Sequence, residues 1–94
     1  MKVRPGDIIN EYGTNAGIPH PLLSSYLIIE EGEPLKEACR RTPETFKCLC
    51  LINNVETIND KPGDIIVLRG DWISSEDEAK AKIWTSFWEV NNEA

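Results

Sequence analysis

The feature that most constrains the fold of this chain is a six-residue motif that occurs twice. RPGDII at residues 4–9 returns as KPGDII at residues 61–66. In each copy the proline presets φ and the glycine tolerates a positive φ, so the pair favours a tight turn. The β-branched isoleucines that follow favour a strand. The repeat therefore predicts two strands that begin with the same turn.

Length and composition predict a single domain. The chain has 94 residues, 40% of them hydrophobic, which is enough apolar material for one modest core but not for two. No apolar run approaches the roughly 18 residues of a membrane span, and the opening MKVR leads into a turn rather than a signal sequence. We therefore expect residues 1–94 to form one soluble, cytoplasmic domain without membrane contact.

Short β-branched runs bounded by Gly, Pro and Asn predict five strands. The predicted strands are residues 7–12, 25–31, 45–52, 55–59 and 64–69. Asn53 and Asn54 tolerate the left-handed conformation, so they predict a type I′ hairpin between the third and fourth strands. Residues 33–41 predict a short helix or an ordered loop, because Pro34 suits the first turn of a helix.

Residues 75–90 predict a C-terminal α-helix. Ser75 and Glu78 have the spacing of a capping box, and Glu76 and Lys80 form an i, i+4 pair in the favourable order. The alternative is a strand over residues 83–90, because these residues alternate acceptably and include Thr, Phe and two Trp.

Together these segments predict a mainly β fold, a small five-stranded SH3-like barrel with a C-terminal α-helix. Residues 45–52 are apolar on both faces, which is typical of a barrel seam or a sandwich core. Ile83, Phe87 and Val90 are expected to pack the helix against the barrel. The predicted core includes Ile8, Leu27, Ile29, Leu49, Leu51, Ile65, Val67 and Trp84.

The charge of the chain is acidic and uneven. The net charge is −6, and residues 48–94 carry −5 of it, with four basic and nine acidic side chains. Such a balance repels a phosphate backbone at long range. Arg40 and Arg41 form a basic cluster with Lys36 and Lys47, but no aromatic platform accompanies it. We therefore expect a protein partner and not a nucleic acid.

The three cysteines favour a reducing compartment. Cys48 and Cys50 share one face of a strand with Phe46 and Ile52, which is typical of a small hydrophobic stripe. With His20, the thiols of Cys39, Cys48 and Cys50 supply the ligand types of a zinc site, but not its C-x2-C spacing. We therefore expect neither a metal nor a cofactor.

Tryptophan and histidine are the candidates for contact with a partner. Trp72, Trp84 and Trp88 either seal the open end of the core, since each buries roughly 200 Å², or anchor a partner protein, since Trp is enriched in interface hot spots. His20 lies between two prolines in the loop of residues 13–24, where an imidazole is either a general acid or base or an exposed loop residue. The expected partner-binding residues are His20, Tyr26, Trp72 and Trp88.

The order of these features resembles the MazF/PemK family of small toxin endoribonucleases. RPGDII is similar to the opening strand of that family, and YLII at residues 26–29 is similar to its second strand. The likeness covers about the first third of the chain. It implies a five-stranded SH3-like barrel with added helices, and an endoribonuclease activity. Ser24 and Ser25 stand where the family places an Arg-Pro pair.

The resemblance implies a ribonuclease site built from Arg4, His20 and one of Arg40 or Arg41. RNA cleavage through the 2′-hydroxyl needs a base, an acid and cationic stabilisation. The leading hypothesis is instead a small acidic, non-enzymatic protein-interaction module, an inhibitor or adaptor that acts on another protein. Its composition resembles that of small acidic accessory proteins of tailed phages.

Two further hypotheses are a DNA-mimic function and a homodimeric assembly. An acidic DNA mimic is suggested by the carboxylates clustered between residues 60 and 78. Exposed edge strands in a small sheet would allow a homodimer.

Overall fold

The computed structural model of the chain describes residues 2–14, 19–33, 44–56 and 58–91. These residues form a five-stranded antiparallel sheet of order β4-β3-β2-β1-β5. The elements in chain order are β1 (Ile8–Gly13), β2 (Leu22–Glu31), β3 (Thr45–Asn53), β4 (Ile65–Arg69), a 3₁₀ turn (Gly70–Trp72), α1 (Glu76–Ala81) and β5 (Ser86–Asn91). The mainly β prediction is confirmed, and four of the five predicted strands are present.

The two Pro-Gly motifs fold in the same way, as the sequence repeat predicts. Gly6 and Gly63 have φ of +93° and +95°, a conformation that glycine adopts without steric cost. Each turn also docks on the neighbouring strand. The Gly6 N–H donates to the Ile28 carbonyl at 2.8 Å, and the Gly63 N–H donates to the Cys50 carbonyl at 2.9 Å. The same unit therefore starts β1 beside β2 and β4 beside β3.

One face of the sheet, the core face, carries the main cluster of buried side chains, and Phe87 is buried on the other face. The buried cluster consists of Val3, Ile9, Tyr26, Ile28, Phe46, Cys48, Cys50, Ile73 and Trp88. The register pairs Ile9 with Tyr26 and Tyr26 with Cys50, so these three residues share that face. Phe46, Cys48 and Cys50 of the predicted stripe are buried, and the thiols of Cys48 and Cys50 are free. The fourth member, Ile52, is wrongly predicted: it is 40% exposed, because the register shift at Leu51 turns it to the other face.

The predicted core residues are not buried, and that prediction is wrong. Half-buried are Ile8, Leu27, Leu49 and Leu51, and exposed are Ile29, Ile65, Val67 and Trp84. Both faces of the central strands are apolar, so alternation does not identify the face that is covered. The large rings of Tyr26, Phe46 and Trp88 fall on the core face, where they belong to the buried cluster.

Two β-bulges add to this error, because each lets one residue leave the alternation. The register of β2 and β3 shifts between Ser25 and Tyr26 and again between Ile28 and Glu30. Leu51 of β3 and Ile29 of β2 are the residues without a partner in the pairing at these shifts. A strict two-residue period therefore does not carry through the centre of the sheet.

The predicted hairpin at Asn53 and Asn54 is wrong, and the described residues of the predicted strand, 55, 56, 58 and 59, are not in a strand. Asn53 ends β3, and its side chain organises the loop that follows. The Asn53 Nδ2 donates to the carbonyls of Ile58 at 3.0 Å and Asp60 at 2.5 Å. The Asn53 amide hydrogen-bonds these two loop carbonyls, which a neighbouring strand would bond in a hairpin.

The helix predicted over residues 75–90 is present only at its start. Ser75 caps α1 by accepting a hydrogen bond from the Glu78 N–H, as predicted, and Lys80 lies 3.3 Å from Glu76. The alternative prediction is correct for the end of the segment, because residues 86–91 form β5. All six residues of β5 pair with β1. β-branched and aromatic residues favour a strand. In this segment they pair with the free edge of the sheet instead of continuing the helix.

The sheet is open, with β4 and β5 as its edge strands. One backbone hydrogen bond, from the Trp88 N–H to the Ser74 carbonyl at 2.7 Å, joins β5 to the segment that follows β4. Within the described ranges, no helix is both long enough and apolar enough to cross a membrane. The helix or loop predicted over residues 33–41 lies outside the described residues except for residue 33.

Neighbouring isoleucines on opposite sides of the sheet test the position of the core. Ile28 is 1% exposed and Ile29 is 40% exposed. We expect Ile28→Ala to lower the free energy of unfolding by about 2–5 kcal/mol, and Ile29→Ala by less than about 1 kcal/mol. Urea denaturation followed by tryptophan fluorescence measures both. Equal losses would contradict the assignment of the core face, and Ile28→Val replaces Ile28→Ala if the latter does not fold.

The core also makes a prediction about alkaline pH. Burial raises the pKa of Cys48 from its ordinary value of 9.0 to about 11. A group with a raised folded-state pKa stabilises the fold below its unfolded pKa, and this contribution is lost as the pH rises through the folded value. We expect the free energy of unfolding to fall by roughly 2 kcal/mol between pH 9 and 11 on account of this thiol.

The matched variant for the pH experiment is Cys48→Ala, which has no thiol to ionise. Urea denaturation at pH 8, 9, 10 and 11 should show a shallower decline for this variant than for the wild type. Tyr26, whose pKa burial raises to about 12, contributes to the decline in both proteins. Parallel curves between pH 9 and 11 would show that the Cys48 thiol is not buried as described.

Candidate functional site

An aromatic pocket of about 400 Å³ lies at the core face. Its lining combines four aromatic side chains with two carboxylates. The aromatic residues are Tyr26, Trp72, Trp84 and Trp88, and the carboxylates are Glu11 and Asp60. Ile58, Leu68 and Ser86 complete the lining. We call this set the tryptophan pocket.

Trp72 reaches the pocket because the 3₁₀ turn follows β4 closely. The first residue of this turn, Gly70, donates its N–H to the Glu44 carbonyl at 2.7 Å. A Cβ at Gly70 would lie 3.1 Å from the ring of Phe46, so a larger residue here would force that ring to shift by a few tenths of an ångström. Trp72 itself is 55% exposed, and it forms an open side of the pocket.

Trp84 is positioned by the end of α1. The Trp84 N–H donates to the Ala79 carbonyl at 2.9 Å and the Ile83 N–H to the Lys80 carbonyl at 3.3 Å, which is the pattern of a Schellman motif. Ile83 has φ of +57°, the left-handed conformation that glycine usually supplies at this place. The Trp84 carbonyl accepts a hydrogen bond from the Thr14 hydroxyl at 3.1 Å. Both ends of this residue's backbone are therefore held.

Tyr26 and Trp88 form the floor of the pocket. Both are buried, and their ring centroids lie 6.0 Å apart at 40°. The Tyr26 hydroxyl donates to the Asp60 carboxylate at 3.4 Å. Burial is the largest cause that raises the pKa of Tyr26 to about 12. The negative charge of Asp60 raises it further, and a hydrogen bond with Ser24 lowers it. The phenol is therefore a neutral hydrogen-bond donor at physiological pH.

Glu11 supplies a second carboxylate, fixed by two hydroxyl groups. Glu11 pairs with Trp88 on one side and with Ser24 on the other, so all three side chains lie on the core face. The Ser24 hydroxyl donates to Glu11 Oε1 at 3.1 Å, and the Ser86 hydroxyl donates to Oε2 at 2.9 Å. This carboxylate is held in one orientation within the sheet.

Two tryptophans of the pocket already carry a cation on a ring. The Arg69 guanidinium carbon lies 5.4 Å from the Trp72 ring centroid, and the Lys82 ammonium lies 4.7 Å from that of Trp84. Both distances fall within the range of cation–π attraction. Arg69 also forms two hydrogen bonds with Asp71, at 3.0 and 2.7 Å, which lower the pKa of that carboxyl. Neither cation is part of the pocket lining.

His20 belongs to a different surface. Its ring meets Phe87 edge-on at 5.3 Å, and its Nε2 lies 3.8 Å from a Glu76 oxygen. The Tyr12 ring stacks on the Phe87 ring, with their centroids 5.5 Å apart. Because Phe87 and Trp88 are consecutive residues of β5, they point to opposite faces of the sheet. Of the four predicted partner-binding residues, Tyr26, Trp72 and Trp88 come together and His20 does not join them.

The residues implied by the ribonuclease resemblance are separated in the fold. Arg4 precedes β1, in the turn where its N–H donates to Asp7 at 2.8 Å. His20 lies at the other end of β1, beside Pro21, whose carbonyl accepts from the last residue of that strand, Gly13. The six residues of β1 span roughly 17 Å. Arg40 and Arg41 lie outside the described residues.

The described residues contain no group of three or more His, Cys, Asp or Glu side chains that could hold a metal ion. Cys48 and Cys50 are buried on the core face, whereas His20 lies against Phe87, and Cys39 falls outside the described residues. Within these ranges the ligand set considered for zinc is not assembled.

Sequence reasoning missed both carboxylates of the tryptophan pocket. Glu11 is isolated in the sequence, and its place opposite Trp88 depends on pairing between residues 77 positions apart. In the sequence Asp60 belongs to an acidic run, because the loop that Asn53 organises has no signature in the hydrophobic pattern. The sequence pattern predicts Trp84 in the core, whereas it is 38% exposed at the pocket.

Comparison with protein-family models, with curated proteins and with solved structures finds no match to this chain. The geometry of the tryptophan pocket is therefore the basis for assigning a function.

The left-handed Ile83 makes a testable prediction about the frame of the pocket. Ile83 is 90% exposed, so its side chain contributes little packing, while its backbone conformation costs about 1–2 kcal/mol. We expect Ile83→Gly to raise the free energy of unfolding by about 1 kcal/mol. Ile83→Val, which remains β-branched, should leave it unchanged. Thermal and urea denaturation measure both, and a destabilising Ile83→Gly would contradict the described conformation.

Proposed function

We propose that this chain is a non-enzymatic protein-interaction module that binds a partner protein through the tryptophan pocket. The observation that carries the proposal is the convergence of Trp72, Trp84, Trp88 and Tyr26 on one open pocket of about 400 Å³. Exposed aromatic rings around a pocket are typical of protein-binding sites, where Trp and Tyr contribute much of the affinity. An inhibitor or adaptor that acts on another protein would use such a site.

An SH3-like barrel is the architecture that we propose for this module. Three features support it: the strand order β4-β3-β2-β1-β5, the 3₁₀ turn between β4 and β5, and the hydrogen bond from the Trp88 N–H to the Ser74 carbonyl. The last of these bends the chain after β4 towards the far edge of the sheet. The pocket then lies at the mouth of the barrel, where small barrels hold their ligands.

The side chains of the pocket favour binding over RNA cleavage. Ribonuclease chemistry needs a base, an acid and a cation near the transferring phosphate. The lining contains carboxylates, a hydroxyl and a neutral phenol, but no histidine, lysine or arginine from the described residues. Two carboxylates in the pocket and a net charge of −6 also disfavour a phosphate backbone as ligand.

Affinity capture with matched variants tests the proposal. The wild type, Trp72→Ala and Val67→Ala are immobilised and exposed to a lysate of the native host, and bound proteins are quantified by mass spectrometry. Trp72 and Val67 are both more than half exposed, at 55% and 64%, so neither substitution removes a core side chain. We expect a specific partner whose recovery falls about tenfold with Trp72→Ala and is unchanged with Val67→Ala.

Two outcomes would contradict the proposal. One is a partner that binds the wild type and Trp72→Ala equally. The other is cleavage of a long single-stranded RNA by the purified protein that His20→Ala abolishes and Trp72→Ala leaves intact, which would assign the chain to the ribonucleases.

A further inference from the structure

The tryptophan pocket combines apolar rings with carboxylates, and an apolar ligand would match only the rings. Its aromatic faces offer apolar area, but the carboxylates of Glu11 and Asp60 lie in the same lining. An aliphatic or aromatic side chain that filled the pocket would remove these carboxylates from water without giving them a positively charged partner. Burial of an unpaired carboxylate is strongly unfavourable. The ligand that fits this lining therefore carries positive charge.

The hydrogen bonds of the two carboxylates do not neutralise them. Glu11 accepts from the hydroxyls of Ser24 and Ser86, and Asp60 accepts from the hydroxyl of Tyr26. All three donors are uncharged, so they fix the positions of the oxygens and leave the negative charge. Among the described residues, no lysine or arginine is part of the lining. Arg69 and Lys82 lie over Trp72 and Trp84 outside the lining, and Arg69 is paired with Asp71.

The tryptophans show directly that their rings accept cations. Arg69 lies over Trp72 and Lys82 lies over Trp84, one guanidinium and one ammonium. Attraction between a cation and an indole ring strengthens when the site is partly removed from water. A pocket with several such rings offers more than either of these exposed contacts.

From these observations we propose that the tryptophan pocket binds a cationic side chain of the partner protein, a guanidinium or ammonium group on an alkyl stem. The alkyl stem packs against Ile58, Leu68 and the rings, and the charged head lies between the carboxylates of Glu11 and Asp60. A volume of about 400 Å³ is at the lower end of the range for ligand pockets, which suits one inserted side chain. This inference rests on the proposed function, because it names the ligand of the same site.

Short synthetic peptides with one central test residue measure the preference directly. The five test residues are arginine, its neutral isostere citrulline, lysine, trimethyllysine and norleucine, each flanked by glycine and serine. Binding is followed through the indole N–H resonances of ¹⁵N-labelled protein. We expect the charged peptides to bind and the neutral ones to bind about tenfold more weakly or not at all. The ranking of arginine, lysine and trimethyllysine identifies the preferred head group.

Charge-removing variants of nearly constant volume locate the cation. Glu11→Gln and Asp60→Asn each remove one negative charge from the pocket, whereas Glu76→Gln removes one from the surface beside His20. We expect the first two to weaken the best cationic peptide by about three- to tenfold. Glu76→Gln should leave its affinity unchanged, which controls for the loss of net charge.

Three results would overturn the inference. They are equal binding of arginine and citrulline peptides, tighter binding of norleucine than of lysine, and an unchanged affinity in both Glu11→Gln and Asp60→Asn. None of these would by itself refute the interaction module, since its capture experiment depends on Trp72 and not on charge. Conversely, a peptide preference for cations without any Trp72-dependent protein partner would support the pocket chemistry and contradict the proposed module.

Discussion

The hydrogen bond from the Trp88 N–H to the Ser74 carbonyl, at 2.7 Å, is the contact on which the site depends. It fixes the chain that leaves β4 against the outer edge of β5. Ile73, next to Ser74, is buried in the core cluster, so an apolar contact reinforces the same junction. Trp72 and Trp84 lie on either side of this junction in the sequence, and Trp88 lies within β5. This junction brings Trp72, from the segment after β4, to the side of the sheet where β5 holds Trp88.

The local chemistry of the chain could be read from the sequence where one short segment determines the outcome. The Pro-Gly turns and the cap of α1 are such cases, because the residues that set φ or accept the N–H lie within four positions of one another. The face of the sheet that is buried could not be read in this way. It depends on where Tyr26, Phe46 and Trp88 meet after the four strands β3, β2, β1 and β5 have paired, and two bulges change the period in between.

For the site too, the sequence predicts what depends on residue type and not what depends on long-range pairing. Trp72, Trp88 and Tyr26 were identified from residue type alone, since large aromatic side chains are informative wherever they lie. Glu11 and Asp60 give no such signal, because a carboxylate is ordinary on the surface of an acidic chain. Their significance comes from long-range pairing: β1 with β5 brings Glu11 to Trp88, and the Asn53 loop brings Asp60 to Tyr26. The register of the sheet, and not the composition, places charge among the rings.

The construction of the pocket is that of a preorganised site. Glu11 lies within a strand and is held by two hydroxyl groups, Trp88 is packed in the core, and the backbone of Trp84 is bonded at both ends. Side chains that are fixed before a ligand arrives lose little conformational entropy on binding. The left-handed Ile83 is consistent with this view, because strain at one exposed residue is the local cost of aiming Trp84 at the pocket. Rigid rings and oriented carboxylates favour a ligand of defined charge and shape over a merely apolar surface.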